Sequence, residues 1–139
     1  MIYKSMKFYS VLLMLFFSAG AFAQQQQMSP EEREKKLYES IQERVNRYAE
    51  DLDLEDWQVF YVDSILTHDC NAMQKEFDNL SSGGARNIDL YADIQDKWNE
   101  NIYNAFRKVF NDDQWEKYLK QGGSRDKKGR DKRAAKKQK

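Results

Sequence analysis

Residues 53–80, DLEDWQVFYVDSILTHDCNAMQKEFDNL, decide the fold of this chain. Apolar side chains recur in them every three or four residues, at Val59, Val62, Leu66, Cys70, Met73, Phe77 and Leu80. This spacing predicts one long amphipathic helix, with Asp53 as its N-cap. Trp57, Tyr61 and Ile65 add a second apolar stripe to its N-terminal half. Because that half is apolar on two sides, we expect it to pack between two partners.

A helix start precedes this segment, and a second long helix follows it. Ser29-Pro30-Glu31-Glu32 combines a capping serine, a proline at the first helical position and a glutamate that completes a capping box. One apolar stripe follows, formed by Leu37, Ile41, Val45, Tyr48 and Leu52. After a turn at Ser81-Ser82-Gly83-Gly84, a third helix carries a seam formed by Ile88, Tyr91, Gln95, Trp98, Ile102, Ala105 and Val109. Two long helices with coiled-coil-like seams and a short connection predict an antiparallel hairpin.

The sequence predicts a short fourth helix at the end of the helical body. Asn111 is its expected cap, Gln114 completes a capping box, and Gly122 and Gly123 end it. Strand-like alternation is missing from the sequence after residue 23. The predicted fold is all-α: an elongated antiparallel helical hairpin with a flanking N-terminal helix and a short C-terminal helix. A thin body of this kind often completes its burial by dimerising, so we expect a homodimer.

The first 23 residues have the pattern of a secretory signal peptide. Lys4 and Lys7 precede the apolar run at residues 11–17, and Ala21-Phe22-Ala23 suits signal peptidase. The alternative is an uncleaved membrane anchor, although the apolar run is shorter than the ~20 residues that span a bilayer. We expect a periplasmic or secreted protein, cleaved near Ala23. A polar leader at 24–29, a helical domain at 30–121 and a basic tail at 122–139 would follow.

The charges divide into two blocks, although 23 Lys+Arg and 23 Asp+Glu give the whole chain zero net charge. Residues 24–119 hold 11 basic and 21 acidic side chains, a net −10, whereas residues 120–139 hold ten basic and two acidic ones, a net +8. The tail has no large apolar residue, so we expect it to be disordered. It could be a solubilising extension, bind an anionic surface, or fold back onto an acidic body, its own or a neighbour's. The residues expected to bind an anionic surface are Arg125, Lys127, Lys128, Arg130, Lys132, Arg133, Lys136 and Lys137.

The sequence offers little for catalysis, and we expect neither an enzyme nor a cofactor or metal. Zero net charge argues against a nucleic-acid partner. His68 and Cys70 lie on different sides of one helix and cannot share a metal unless the helix unwinds. Cys70 is interpreted as a small core residue, with a reactive thiol as the alternative, and a dimer seam along its stripe would allow an intermolecular disulfide. Ser64 and His68 leave a hydrolase as a minor alternative.

Aromatic residues are abundant for a thin helical body, and some of them should stay exposed to bind apolar partner segments. The expected client-binding residues are Trp57, Phe60, Tyr61, Trp98, Trp115 and Tyr118.

Two capped turns look like copies of one signature. Leu54-Glu55-Asp56-Trp57-Gln58 and Phe110-Asn111-Asp112-Asp113-Gln114 each combine an apolar residue, a helix start with acids, and glutamine in fifth place. With an exported helical chain of this size, they resemble the Leu-Thr-x-x-Gln repeat of the Spy/CpxP family of periplasmic proteins. Here Phe110 replaces leucine, and Glu55 and Asn111 stand in the threonine positions.

The resemblance covers roughly residues 30–120 and implies an elongated helical hairpin, often an antiparallel, cradle-shaped dimer. Some members of that family are envelope-stress proteins that act as ATP-independent chaperones or adjust a sensor kinase. Well-known members have basic binding surfaces, whereas this body is acidic.

Two functional hypotheses follow from these features. The first is an exported envelope-stress protein that binds unfolded or membrane-associated proteins without ATP. The alternative is a structural or adaptor protein, tethered to an anionic envelope surface by its basic C-terminal tail.

Overall fold

The computed structural model describes residues 28–139, which are all-α. In chain order the helices are α1 (Pro30–Asp51), α2 (Asp56–Ser82), α3 (Ile88–Val109), α4 (Asp112–Tyr118) and α5 (Ser124–Lys137). A π-helical turn, Leu119–Gly123, joins α4 to α5. The predicted signal peptide and most of the polar leader lie outside the described residues. Within residues 28–139, no helical segment combines the length and the hydropathy that a membrane span requires.

The start of α1 is the capping box that the sequence predicts. The Glu32 amide donates to Ser29 Oγ at 3.2 Å, and the Ser29 amide donates to Glu32 Oε2 at 3.1 Å. Both bonds satisfy amide groups that have no partner inside the helix. Further along, the predicted stripe is confirmed, because Ile41 and Val45 are buried.

The turn between α1 and α2 differs from the prediction at Asp53. Asp53 adopts a left-handed conformation, with φ at 50°, and the Leu54 amide donates to the Ala49 carbonyl at 3.1 Å. Aspartate tolerates this conformation better than most residues, so here it closes α1 and does not cap α2. The N-cap of α2 is Glu55.

Helices α2 and α3 form the predicted hairpin. Phe77 contacts Tyr91 near the connection, His68 contacts Trp98 further along, and Gln58 reaches the Val109 carbonyl at the far end. Along these three contacts the residue numbers fall on α2 while they rise on α3, so the two helices run antiparallel.

The predicted seam of α3 is correct in part. Ile102 is buried, but Ile88 is 81% exposed and Gln95 is also exposed. Phe106, which the seam omitted, is fully buried. The buried face of α3 is therefore centred on Ile102 and Phe106, and the predicted seam coincides with it only in part.

The core lies where α1, α2 and α3 meet the turn before α4. Its buried apolar residues are Ile41, Val45, Leu52, Val62, Leu66, Cys70, Ile102, Phe106 and Phe110. Aromatic rings extend this core toward α4, with Tyr48 edge-on to Phe106 at 5.2 Å between centroids and to Tyr118 at 6.0 Å. Such edge-to-face pairs favour the fold beyond the apolar area they bury.

The basic tail, which the sequence predicts to be disordered, forms helix α5, so that prediction is wrong. Helix α4 ends at Tyr118, before the predicted glycines, and the chain kinks at Gly122 inside the π-helical turn and continues as α5. Gly122 has φ at 125°, and a Cβ added to Gly123 would lie 2.8 Å from Tyr118 Cε1. Only glycine fits both requirements, left-handed backbone at the first position and close approach at the second.

Candidate functional site

The two motif glutamines meet in the interior, although 56 positions separate them. Gln58 Nε2 donates to Gln114 Oε1 at 2.6 Å, and Gln114 Nε2 donates to Gln58 Oε1 at 3.0 Å. Both side chains are buried, with exposed fractions of 3% and 7%. A reciprocal amide pair of this kind satisfies polar groups that would be costly to bury alone.

Each glutamine also closes the start of its own helix. Gln58 Oε1 accepts from the Glu55 amide at 2.9 Å, and Gln114 Oε1 accepts from the Asn111 amide at 3.0 Å. The Gln114 amide donates in return to Asn111 Oδ1 at 2.9 Å, which confirms the predicted capping box of α4. The two similar sequence signatures are therefore two similar helix starts, joined to each other through their glutamine side chains.

Three of the predicted client-binding residues form an exposed aromatic patch on the first two turns of α2. Trp57 and Tyr61 are each 51% exposed, and Phe60 is 67% exposed. Tyr61 lies edge-on to both other rings, at 6.2 Å from Trp57 and 5.7 Å from Phe60. Trp57 Nε1 donates to Glu55 Oε2 at 2.5 Å. Contiguous exposed apolar side chains of this kind are a common feature of binding surfaces.

An open groove of about 630 Å³ runs along this patch between α2 and α3. Trp57, Tyr61 and Ile65 form the α2 wall, and the α3 wall is formed by Asn101, Asn104, Ala105, Lys108 and Val109. The α2 wall is the second apolar stripe of the sequence, which was expected to face a second partner. Within residues 28–139 no other element covers this stripe, so the expected second partner is not part of the described chain.

The other three predicted client-binding residues lie elsewhere. Trp98 is half-buried, and its Nε1 donates to Glu76 Oε1 at 3.0 Å. Trp115 and Tyr118 pack into the aromatic extension of the core, at 5.2 Å from one another. Burial raises the pKa of the Tyr118 hydroxyl above its usual range. Trp115 and Tyr118 therefore contribute to the packing of the fold, and of the six expected residues only Trp57, Phe60 and Tyr61 lie together on an exposed surface.

Helix α5 lies against α3 through a row of ion pairs, which we call the charge zipper. Arg133 contacts both carboxylate oxygens of Asp96, at 2.7 and 2.8 Å. Glu100 accepts from Arg130 at 2.8 Å and from Lys127 at 2.5 Å. Lys137 pairs with Asp93. Four cations spaced three or four residues apart on α5 therefore meet three acids with the same spacing on α3, which brings one face of each helix together.

The charge zipper shifts the titration of its acids. The Arg133 hydrogen bond, opposed by burial, holds the pKa of Asp96 below its ordinary value. Burial raises the pKa of Glu100, but hydrogen bonds from Lys127 and Arg130 outweigh it, so that pKa is also lowered. Tyr103 adds its ring, 5.4 Å from the Arg130 guanidinium carbon. Opposite charges and cation–π attraction thus take the place of apolar burial for this helix.

The other face of α5 keeps its positive charge, and we call it the outer basic face. It consists of Arg125, Lys128, Lys132 and Lys136, all exposed. Arg125 contacts only its exposed neighbour Asp126, and the three lysines have no ion pair within the described part of the chain. The eight residues expected to bind an anionic surface thus divide evenly. The zipper holds Lys127, Arg130, Arg133 and Lys137 against the body, and the outer basic face leaves the rest accessible.

Ser64 and His68, the residues considered for catalysis, each bond to another group of α2. Ser64 Oγ donates to the Phe60 carbonyl at 2.9 Å, and the exposed His68 pairs through Nδ1 with Asp69 Oδ1 at 2.7 Å. Cys70 is buried in the core, as the apolar interpretation expected, with Arg44 Nη1 at 3.5 Å from its sulfur. Burial raises the pKa of this thiol despite the arginine. Residues 28–139 hold no group of three or more potential metal ligands.

Comparisons with protein-family models, with curated proteins and with solved structures find no match to this chain.

Proposed function

We propose that this protein is exported and binds unfolded or membrane-associated proteins without ATP, as chaperone-like members of the Spy/CpxP family do. The observation that carries the proposal is the exposed patch of Trp57, Phe60 and Tyr61 beside an open, largely apolar groove. Aromatic rings supply large contact areas at a small cost in conformational entropy, which suits weak and reversible binding of varied apolar segments.

Further support comes from the sequence outside the groove. The N-terminal pattern favours export, and nucleotides are scarce outside the cytoplasm, so an ATP-independent mechanism fits that location. The two paired helix starts, with their glutamines in fifth place, are the feature that resembles the family. An acidic body favours basic clients, because opposite charge raises the rate of encounter.

Suppression of client aggregation tests this proposal. Purified protein at a stoichiometric amount should slow the rise in light scattering of a chemically denatured client after dilution. Replacing the patch, with Trp57→Ser, Phe60→Ser and Tyr61→Ser together, should remove most of this effect. Circular dichroism should show an unchanged fold, because exposed side chains contribute only about 0.5 kcal/mol each to stability.

A matched control removes the same number of exposed apolar side chains away from the groove. Tyr38, Ile88 and Leu90 are 62%, 81% and 42% exposed, and their triple serine variant should suppress aggregation as well as the original protein. Equal loss of activity in both variants, or no suppression by the original protein, would contradict the proposal.

A second candidate function is favoured by the outer basic face. Four accessible cations on one helix would hold the protein against an anionic membrane surface, as an adaptor, with about 1 kcal/mol from each basic residue near that surface. Arg125 and Lys136 are 11 positions apart, or about 16 Å along the helix. That length lets all four side chains contact one flat surface, while the acids of the zipper lie on the opposite side of α5.

Vesicle co-sedimentation separates this candidate from the first. Binding to vesicles that contain phosphatidylglycerol should fall on changing Arg125, Lys128, Lys132 and Lys136 to glutamine, and should weaken with salt. Deleting the tail is a poorer test, because it would also uncover Asp93, Asp96 and Glu100. The aromatic triple variant serves as the control and should bind these vesicles normally. Unchanged binding after the four substitutions would rule out the outer basic face as the tether.

A further inference from the structure

We infer that the groove between α2 and α3 accepts an amphipathic helical segment of the partner, about two to three turns long, with an acidic residue at one flank. This inference deepens the proposed function, because it names the conformation and chemistry of the bound segment. It rests on the shape and polarity of the groove walls.

The periodicity of the walls matches a helix. The α2 wall uses Trp57, Tyr61 and Ile65, at intervals of four residues, and it spans about 12 Å. Elsewhere in this chain, the apolar stripe of α2 through Val62 and Leu66 is buried against other helices. The uncovered stripe has the same helical spacing and large side chains, so a helix that lays its ridge between α2 and α3 would complete the same kind of packing.

An extended segment fits the groove less well, because of its backbone. Groups on the backbone of α2 and α3 are already bonded within their own helices, and the α2 wall is mostly rings and an aliphatic side chain, with the Tyr61 hydroxyl and the Trp57 N–H, already bonded to Glu55, as its polar groups. An extended peptide would leave N–H and C=O groups without partners against that wall. A helix brings its backbone hydrogen bonds with it and exposes only side chains to the groove.

The α3 wall supplies the remaining specificity. Ala105 is the smallest side chain in that wall, so the space beside it can take a large apolar side chain. Asn101 and Asn104 are exposed polar groups, and Lys108 has no ion pair within residues 28–139. Lys108 lies seven positions beyond Asn101, at the end of the groove nearest Trp57. An acid on the bound helix at that end would pair with it.

Two peptides of identical composition test the inference by isothermal calorimetry and circular dichroism. One places leucine and phenylalanine at every third or fourth position with a flanking glutamate, and the other distributes the same residues around the helix. The patterned peptide should bind at least tenfold more tightly and gain helicity on binding. Ala105→Phe should weaken its binding at least tenfold by filling the groove, whereas Ala135→Phe, on an exposed site of α5, should not.

A charge exchange keeps the test decisive if Ala105→Phe does not fold. Lys108→Glu should weaken binding of the glutamate-flanked peptide and restore affinity for a lysine-flanked version. Equal binding of the patterned and distributed peptides would overturn the inference, while aggregation suppression would leave the proposed function standing. A dimer that excludes both peptides would assign the groove to a second copy and also overturn the inference. If the protein neither binds the patterned peptide nor suppresses aggregation, both the inference about the groove and the proposed function would be contradicted.

Discussion

The glutamine pair allows a quantitative prediction about how the two helix starts depend on each other. Replacing Gln58 with methionine keeps the length of the side chain but removes its amide. The Glu55 amide and the Val109 carbonyl, 2.9 and 3.0 Å from Gln58, each lose a partner. Gln114 loses both of its bonds to Gln58 and stays buried.

The expected cost follows from the groups that are left without a partner. A buried polar group that loses its partner costs about 1–3 kcal/mol, and the buried Gln114 amide is the most severely affected. Allowing for partial solvation of the other groups, we expect Gln58→Met to lower the free energy of unfolding by about 3 kcal/mol. For a domain of this size, that corresponds to a fall of roughly 15 °C in Tm.

A double-mutant cycle distinguishes this explanation from simple loss of packing. Denaturant unfolding, followed by circular dichroism, would be measured for Gln58→Met, Gln114→Met and the double variant. Each single variant leaves the other amide buried without its partner amide, although that amide keeps its bonds at its own helix start. The double variant should therefore be about 1–2 kcal/mol more stable than the sum of the two effects predicts. Additive costs, within about 0.5 kcal/mol, would show that the two amides do not depend on each other.

Three further predictions concern pH, the kink and the cysteine. The pKa values of Asp96 and Glu100 are lowered by folding, so their stabilisation should be complete above about pH 5 and lost as pH falls through their folded pKa values. Thermal unfolding from pH 7 to pH 3 checks this, and Asp96→Asn with Glu100→Gln should show a shallower loss in acid. Gly123→Ala should cost about 1–3 kcal/mol through its clash with Tyr118, whereas Gly129→Ala, whose Cβ would meet only the movable end of the Arg133 side chain, should cost less; urea unfolding compares them. Cys70 should react with a thiol reagent only as fast as the native protein opens, and fast labelling without denaturant would contradict its burial.

Features that depend on neighbouring residues were predictable from the sequence. The capping boxes at Ser29 and at Asn111 each use residues three positions apart, and both are present. Asp53 was assigned wrongly because aspartate suits both an N-cap and a left-handed helix end. Local sequence does not decide between these two roles, whereas the packing of Leu52 and Leu54 beside it does.

Features that depend on distant residues were predictable only in part. Gln58 and Gln114 were singled out, but nothing local indicates that their side chains meet. The tail was predicted to be disordered because it has no large apolar residue to bury, and its helix is held by acids about 30 to 40 positions away. The matching spacings of cations on α5 and acids at Asp93, Asp96 and Glu100 were a readable signal, which a count of net charge overlooks.

The aromatic residues show why a candidate site cannot be read from residue types alone. Trp57 and Trp115 occur in closely similar sequence settings, each one position from a motif glutamine. The first is half exposed beside the groove, while the second packs against Tyr103 at 4.9 Å. The difference arises because Tyr103 and Tyr118 cover Trp115, whereas one side of Trp57 faces the open groove.

The glutamine bridge makes the structure sensitive to whether the whole chain is present. Until residues up to Gln114 have joined the fold, the amide of Gln58 has neither its side-chain partner nor the Val109 carbonyl. A fragment that stops within α3 therefore contains every residue of the first helix start. It still lacks the two groups that pair with the Gln58 amide when that amide is buried. Over evolutionary time, the same dependence should make the two positions change together, so that a relative that loses one glutamine loses the other.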